Sequence, residues 1–181
     1  PAVEVLRLAP RLVLLGDPQQ LDQPLQGSHP PGADRSALGH LLDGARVMPA
    51  DLGLFLDGTW RLHPEIAAYT SEVFYEGRLH AHPGREALDL SGVAPLAGTG
   101  LRFIPVMHER HSSDAPEEAA AIAALVGKLL AAGSSWTDAK GAMGPLSEQD
   151  VLIITPYNAQ VATIGAALPH IRTGTVDKFQ G

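Results

Sequence analysis

Four polar segments of this 181-residue sequence carry side chains that could handle phosphate groups. Their amide, hydroxyl and guanidinium groups donate hydrogen bonds to phosphate oxygens. Each segment alone is weak support for a phosphate-binding site, because Gly-Asp-Pro is a common turn and Asn is a common helix cap. The segments read Gly-Asp-Pro-Gln-Gln-Leu at 16–21, Thr-Trp-Arg-Leu-His-Pro at 59–64, Ile-Thr-Pro-Tyr-Asn-Ala-Gln at 154–160 and Thr-Val-Asp-Lys-Phe-Gln-Gly at 175–181.

Each segment lies at the end of a predicted strand or in the turn that follows it. Apolar runs predict strands at 12–15, 54–56, 101–106, 150–155 and 173–176. Helical spacing and end signals predict helices at 36–42, 64–77, 116–132 and 158–168, with Asp114 capping the third, and a loop at 133–149. This alternation predicts an α/β fold, a parallel sheet with helices on both faces. In such sheets, ligands bind at the carboxyl ends of the strands.

Composition narrows the classes of function. The net charge of −7, from 13 Lys and Arg against 20 Asp and Glu, argues against nucleic-acid binding by bulk charge alone, so a nucleic-acid contact would have to come from a local site. The absence of cysteine excludes disulfides, thiolate zinc sites and a cysteine nucleophile. Because there is no apolar run of about 20 residues and no signal-peptide layout, we expect a cytoplasmic protein without a membrane partner.

Two features of the whole sequence predict that it is a fragment of a longer protein. The phosphate-loop pattern Gly-x-x-x-x-Gly-Lys-Ser/Thr is absent, and the Gly127-Lys128 pair lies inside the predicted Ala-rich helix. The sequence also stops at Gly181, directly after a strand-and-turn pattern. We therefore expect these residues to be part of a longer protein.

Taken together, the segments resemble the superfamily 1 helicases of the nonsense-mediated-decay and replication-nuclease type. That family carries Gly-Asp-x-x-Gln-Leu (motif III), then Tyr-Arg-Met-His-Pro (motif IV) with a Ser…Phe-Tyr-x-Gly-x-Leu tail. Ile-Thr-Pro-Tyr-x-x-Gln and Thr-Val-Asp-x-Phe-Gln-Gly (motif V) follow. The tail here runs from Ser71 to Leu79, while Trp60 and Leu62 replace the Tyr and Met of motif IV. The resemblance covers about residues 12–181.

The resemblance implies a RecA-like fold, the second lobe of a P-loop NTPase, in incomplete form. Residues 1–45 would be the end of the first lobe with a connector, and 46–181 most of the second lobe, truncated before a final arginine motif. The implied function is that of a fragment of an ATP-dependent DNA or RNA helicase or translocase. Without the phosphate loop and the metal-binding Asp-Glu pair, the fragment alone is predicted to be inactive.

The resemblance also implies roles for individual residues. Gln20 would sense the γ-phosphate or the attacking water, and Arg61 would be an arginine finger, the two catalytic assignments. The implied nucleotide contacts are Asp17, Gln20, Trp60, Arg61, Gln180 and Gly181. The implied contacts to nucleic acid are Thr155, Asn158, Gln160, Thr175 and Lys178. The expected ligands are ATP with Mg²⁺, held mainly outside this fragment, and the expected partners are single-stranded nucleic acid and the rest of the same chain. Some members of the family carry a fused nuclease domain.

Several of these residues also fit roles other than ligand binding. Arg61 could form a surface pair with Glu65, Trp60 could fill a buried junction instead of stacking on adenine, and Lys178 could be an ordinary solvated residue. His108 and His111 have a metal-ligand spacing, but they fit a solvated loop better. For the whole chain, the alternative is a non-catalytic nucleic-acid-binding or docking module that retains the helicase fold.

Overall fold

The computed structural model describes residues 11–20, 27–28, 30 and 32–179, which fold into a mixed α/β structure. These residues divide into two compact units. The first contains the described residues up to Trp60 together with Ala67–Ala81, and the second contains Arg61–Ile66 and the described residues from His82 onward. No described helix is long and apolar enough to cross a membrane.

The first unit combines one short helix, most of a longer helix and a parallel strand pair. Helix α1 (Ala37–Leu42) begins at Ser36, whose hydroxyl accepts a hydrogen bond from the Gly39 amide at 3.0 Å. This is the usual arrangement at a helix N-terminus. Strand β1 (Gly58–Thr59) pairs in parallel with β2 (His80–Ala81). The connecting helix α2 (Pro64–Phe74) has Pro at its first position, where the missing N–H carries no cost.

The second unit contains two further sheets. Strands β3 (Asp89–Ser91), β4 (Ser135–Thr137) and β5 (Met143–Pro145) form an antiparallel sheet in that order. Strands β6 (Leu152–Ile154) and β7 (Arg172–Gly174) form a parallel pair. The unit also has helices α3 (Pro116–Ala131), α4 (Asn158–Ala167) and α5 (Val176–Phe179). The core joins α3, α4 and the β6–β7 pair through the buried side chains of Ala119, Val126, Ile153, Ile164 and Ile171.

The mixed α/β class with parallel strand pairs and the main helices confirm the predicted architecture. Helices α1 to α4 and strands β6 and β7 lie within a few residues of their predicted positions. The predicted lobe boundary at residues 45 and 46 stays a prediction.

Three predicted strands are wrong. The described residues at 12–15, 54–56 and 101–106 are in no strand ladder. Leu15, Leu54 and Phe103 are each about nine-tenths exposed. An apolar run favours a strand only when a neighbouring strand pairs with it, and a local pattern does not report that partner.

The predicted loop at 133–149 is also wrong, since it contains β4 and β5. Trp136 lies across Gly144 of the opposite strand, so closely that a side chain on Gly144 would collide with the indole. Asp138 closes the turn between the strands by accepting the amides of Lys140 at 2.8 Å and Ala142 at 2.9 Å. These bonds, chiefly the one from Ala142, hold the pKa of Asp138 below its ordinary value.

Candidate functional site

The motif III segment forms a β-turn that begins at Asp17. The Gln20 amide donates to the Asp17 carbonyl oxygen at 3.2 Å, and the Gln19 amide donates to Asp17 Oδ1 at 3.0 Å. Pro18 occupies the second position of the turn, where its fixed φ is suitable, and Asp at the first position is typical. The conformation of the segment is therefore stabilised by hydrogen bonds among four consecutive residues.

The carboxylate of Asp17 joins this turn to a second element. Its Oδ2 accepts from the Gln20 side-chain amide at 3.1 Å and from the Tyr75 hydroxyl at 2.5 Å. The structure thus brings together Asp17 and Gln20, two of the predicted nucleotide contacts, and adds Tyr75. In the sequence, Tyr75 stands out only as part of the tail that follows motif IV.

The phenol of Tyr75 remains a donor at physiological pH. Burial raises the pKa of Tyr75 from 10.0 to about 12, and the hydrogen bond to Asp17 and the charge of that carboxylate act in the same direction. The fold therefore stabilises the neutral phenol. This contribution is complete below pH 10 and is lost as the pH rises through about 12.

The motif IV tail is a closed turn after α2. The Ser71 carbonyl oxygen accepts the amides of Tyr75 at 2.9 Å and Gly77 at 3.0 Å, and the Ser71 hydroxyl accepts the Leu79 amide at 2.9 Å. Gly77 has a φ of +76°, a conformation that glycine adopts without strain. The spacing of Ser, Tyr, Gly and Leu in the tail is explained by this turn, because each of those positions makes one of its bonds.

The motif IV segment presents its aromatic and basic groups to solvent. Trp60 is 62% exposed, and both of its predicted roles, stacking on adenine and filling a junction, stay predictions. Arg61 is also exposed. His63 has a structural position, since its Nδ1 accepts the Glu65 amide at 3.3 Å in the first turn of α2. Gln20 and Trp60 belong to the first unit and Arg61 to the second.

The predicted nucleic-acid contacts Thr155 and Thr175 lie at one edge of the β6–β7 pair. The Thr155 amide donates to the Gly174 carbonyl oxygen at 3.1 Å, which places the carboxyl ends of both strands side by side. Helix α4 begins three residues later at Asn158, with no acidic residue and no side-chain cap in its first turn. Thr155 is buried, Thr175 half-buried and Asn158 exposed.

Lys178 lies at the same end of β7, in α5. Its ammonium donates to the Thr173 carbonyl oxygen at 3.4 Å and lies 5.7 Å from the centre of the Phe179 ring. The side chain is exposed, so a phosphate contact by Lys178 stays a prediction. Gln180 and Gly181, the last two predicted nucleotide contacts, lie outside the described residues.

Gln160 connects two helices inside the second unit. Its side chain is 4% exposed; Oε1 accepts the Ala115 amide at 2.7 Å, and Nε2 donates to the Ala115 carbonyl oxygen and to Glu118 Oε2, each at 3.3 Å. The prediction that Asp114 caps α3 is wrong, because Ala115 is the N-cap residue and Gln160 binds its amide. The geometry favours a structural role for Gln160, and its nucleic-acid contact stays a prediction. Gln160 lies four positions before the buried Ile164, a spacing that indicates the inner face of a helix.

Metal ligands are absent from the described part of the chain, where no three His, Asp or Glu side chains could hold an ion. His108 and His111 instead lie 3.2 Å from Glu118 and Glu117 at the start of α3. A backbone hydrogen bond, followed by the interactions with His111, holds the pKa of Glu117 below its ordinary value.

A family model and several curated proteins match this chain. The model of the family AAA_12, described as an AAA domain, matches residues 34–181. The chain belongs to the AAA_12 family. The matched range includes motif IV with its tail and the two C-terminal segments, while motif III precedes it.

Three curated relatives of this AAA_12 chain are similar at low identity. DNA polymerase alpha-associated DNA helicase A of Schizosaccharomyces pombe is 26% identical over 94% of the chain. The human 3'-5' exoribonuclease HELZ2 is 28% identical over 96%, and helicase SEN1 of Saccharomyces cerevisiae is 26% identical over 94%. The chain spans 27%, 6% and 8% of their respective lengths. The resemblance to superfamily 1 helicases is thus confirmed, and the mixed α/β structure is consistent with a RecA-like domain of this family.

Proposed function

We propose that this helicase-type domain is part of an ATP-dependent helicase or translocase that moves on a single strand of DNA or RNA. The observation that carries the proposal is the edge at the ends of β6 and β7, where Thr155 and Thr175 lie side by side. Parallel sheets of this kind bind ligands at that edge. Family membership supports the helicase-type assignment, and ATP hydrolysis with movement along the strand is the finer proposal.

The edge can bind a nucleic-acid backbone without a large positive charge. Threonine hydroxyls, the Asn158 amide group and the first amides of α4 donate hydrogen bonds to phosphate oxygens. Lys178 adds one cationic donor in α5. This set of mostly neutral donors reconciles the proposed ligand with the net charge of −7.

In the proposed function, Gln20 and Arg61 contact the nucleotide. Phosphoryl transfer depends on positioning and on stabilisation of charge. Gln20, held by Asp17, offers an amide to the γ-phosphate or to the attacking water. Arg61 offers a planar, permanently charged group to the phosphate oxygens as their charge develops. Trp60 exposes an aromatic face that can stack on the adenine.

The experiment that tests the proposal is an ATPase assay of the full-length protein. We expect turnover that increases when single-stranded oligonucleotide is added. Binding of the oligonucleotide without any ATP turnover would instead support the alternative of a docking module that retains the helicase fold.

Replacing Thr155 with alanine should weaken nucleic-acid binding and leave basal ATP turnover intact. The variant loses one backbone contact, about 0.5–1.5 kcal/mol, or roughly two- to tenfold in affinity. Filter binding on two oligonucleotides of unrelated sequence measures the effect. The loss should be equal for both, because a phosphate contact carries no base information.

Thr155→Ser is the matched control, since it retains the hydroxyl and removes a methyl group. We expect it to bind nearly as well as the wild type. A loss that differs strongly between the two oligonucleotides would contradict a backbone contact at this position.

A further inference from the structure

Tyr75 links the motif IV tail to the motif III turn, and the proposed function does not yet use it. Its hydroxyl donates to Asp17 Oδ2 at 2.5 Å across 58 positions of sequence. We infer that Tyr75 is a positioning residue for Gln20: it fixes the Asp17 carboxylate, which orients the Gln20 amide toward the nucleotide. The inference rests on the proposed function, in which Gln20 contacts the γ-phosphate or the attacking water.

Tyr75 is itself firmly held within the first unit. The turn centred on Ser71 fixes its backbone through the 2.9 Å bond from the Tyr75 amide. Its ring packs at 5.9 Å from the centre of the Phe55 ring, which in turn carries the Arg78 guanidinium at 5.0 Å. A side chain held at both backbone and ring keeps its hydroxyl at one point, which is what a positioning donor requires.

The Tyr75 bond is the one that ties the Asp17 carboxylate to a distant element. The other described donors to that carboxylate, the Gln19 amide and the Gln20 side chain, belong to the same turn. Gln19 also donates its side chain to the Arg46 carbonyl oxygen at 3.2 Å, but this anchors the turn and not the carboxylate. Without the phenol, only bonds from its own turn hold the Asp17 carboxylate, so its orientation and that of the Gln20 amide are less restricted.

Rotation of Asp17 would change the chemistry that Gln20 offers. The amide uses one of its two N–H donors on Asp17. Its second N–H and its carbonyl oxygen remain for a phosphate oxygen and for the proton of a water molecule. Their directions are set by the bond to Asp17. A loss of orientation slows the chemical step more than it weakens nucleotide binding.

The test is a double-mutant cycle on ATP turnover by the full-length protein. Tyr75→Phe removes one oxygen atom and should lower kcat roughly tenfold, the effect of one hydrogen bond, with little change in KM. Gln20→Ala should lower kcat at least as much. Because both residues act through the same amide, the double variant should be no slower than Gln20→Ala. Tyr69→Phe is the matched control, since Tyr69 is exposed on α2, and it should retain wild-type turnover.

Hydrogen exchange gives a readout that does not depend on ATP. The amides of Gln19 and Gln20 should exchange faster in Tyr75→Phe and at the wild-type rate in Tyr69→Phe. Unchanged exchange, normal kcat in Tyr75→Phe, or losses that multiply in the double variant would each overturn the role of Tyr75 and leave Gln20 in place. Wild-type turnover in Gln20→Ala, or no ATP turnover by the unmodified protein, would overturn the proposed function and this inference with it.

Discussion

Arg61→Ala in the full-length protein is expected to lower the ATP turnover number by about 10³-fold or somewhat less, with a much smaller change in nucleotide affinity. Arginine fingers contribute roughly 10³–10⁵ in rate, and the final arginine motif of the family would share the charge here. The guanidinium interacts more strongly as charge develops on the phosphate oxygens, so its loss raises the barrier more than it weakens binding. Steady-state ATPase kinetics measure kcat, and equilibrium titration with a nucleotide measures affinity.

Two further variants separate this role from a surface ion pair with Glu65. Arg61→Lys should restore little activity, because an ammonium group cannot reproduce the planar fork of arginine. Arg35→Ala is the matched control, since Arg35 lies 3.9 Å from Asp43 in an exposed pair, and its loss should leave turnover normal. If Arg61→Ala folds and hydrolyses ATP at the normal rate, Arg61 is not part of the catalytic machinery.

The helices and strands that were predicted correctly are marked in the sequence by residues within them or next to them. Helix α2 begins at Pro64 and is followed by Gly77, and strand β6 is a short apolar run that leads into α4. Such signals depend on neighbouring residues and are therefore visible without the fold. The strands predicted at 54–56 and 101–106 lacked this support, because their formation depends on a partner strand.

In the candidate site too, contacts within one turn can be predicted from the sequence and contacts between distant residues cannot. Asp17 and Gln20 belong to one turn, so the sequence brings them together before any fold is known. The contact of Tyr75 with Asp17 joins residues 58 positions apart, and no local pattern reports it.

Two features of the sequence predict different roles for Gln160. Its spacing from Ile164 on α4 indicates a position on the inner face of the helix, whereas its position in the family motif predicts a contact with a ligand. A polar residue inside a motif can therefore stabilise the domain instead of binding a ligand, and the hydrogen bonds that its side chain makes inside the domain indicate which role it has.

Gln160→Leu provides the second large expected effect, on stability. Leucine has a similar size, but it leaves the buried Ala115 amide without its 2.7 Å acceptor. An unpaired buried donor costs about 1–3 kcal/mol. In a domain of this size, each kcal/mol lowers the melting temperature by about 2–4 °C. Thermal melts of the full-length protein measure the shift, and hydrogen exchange at Ala115 shows whether the lost bond is its cause.

Asn158→Ala is the matched control for Gln160→Leu, because Asn158 begins the same helix and is exposed. Its loss should change the free energy of unfolding by no more than about 0.5 kcal/mol, as at most surface positions. The nucleic-acid role predicted for Gln160 gives the opposite pattern: unchanged melting and weaker binding to an oligonucleotide. Because the side chain uses both its carbonyl oxygen and its amide nitrogen in bonds to Ala115 and α3, we expect the loss of stability, and an unchanged melting temperature would contradict the structural role.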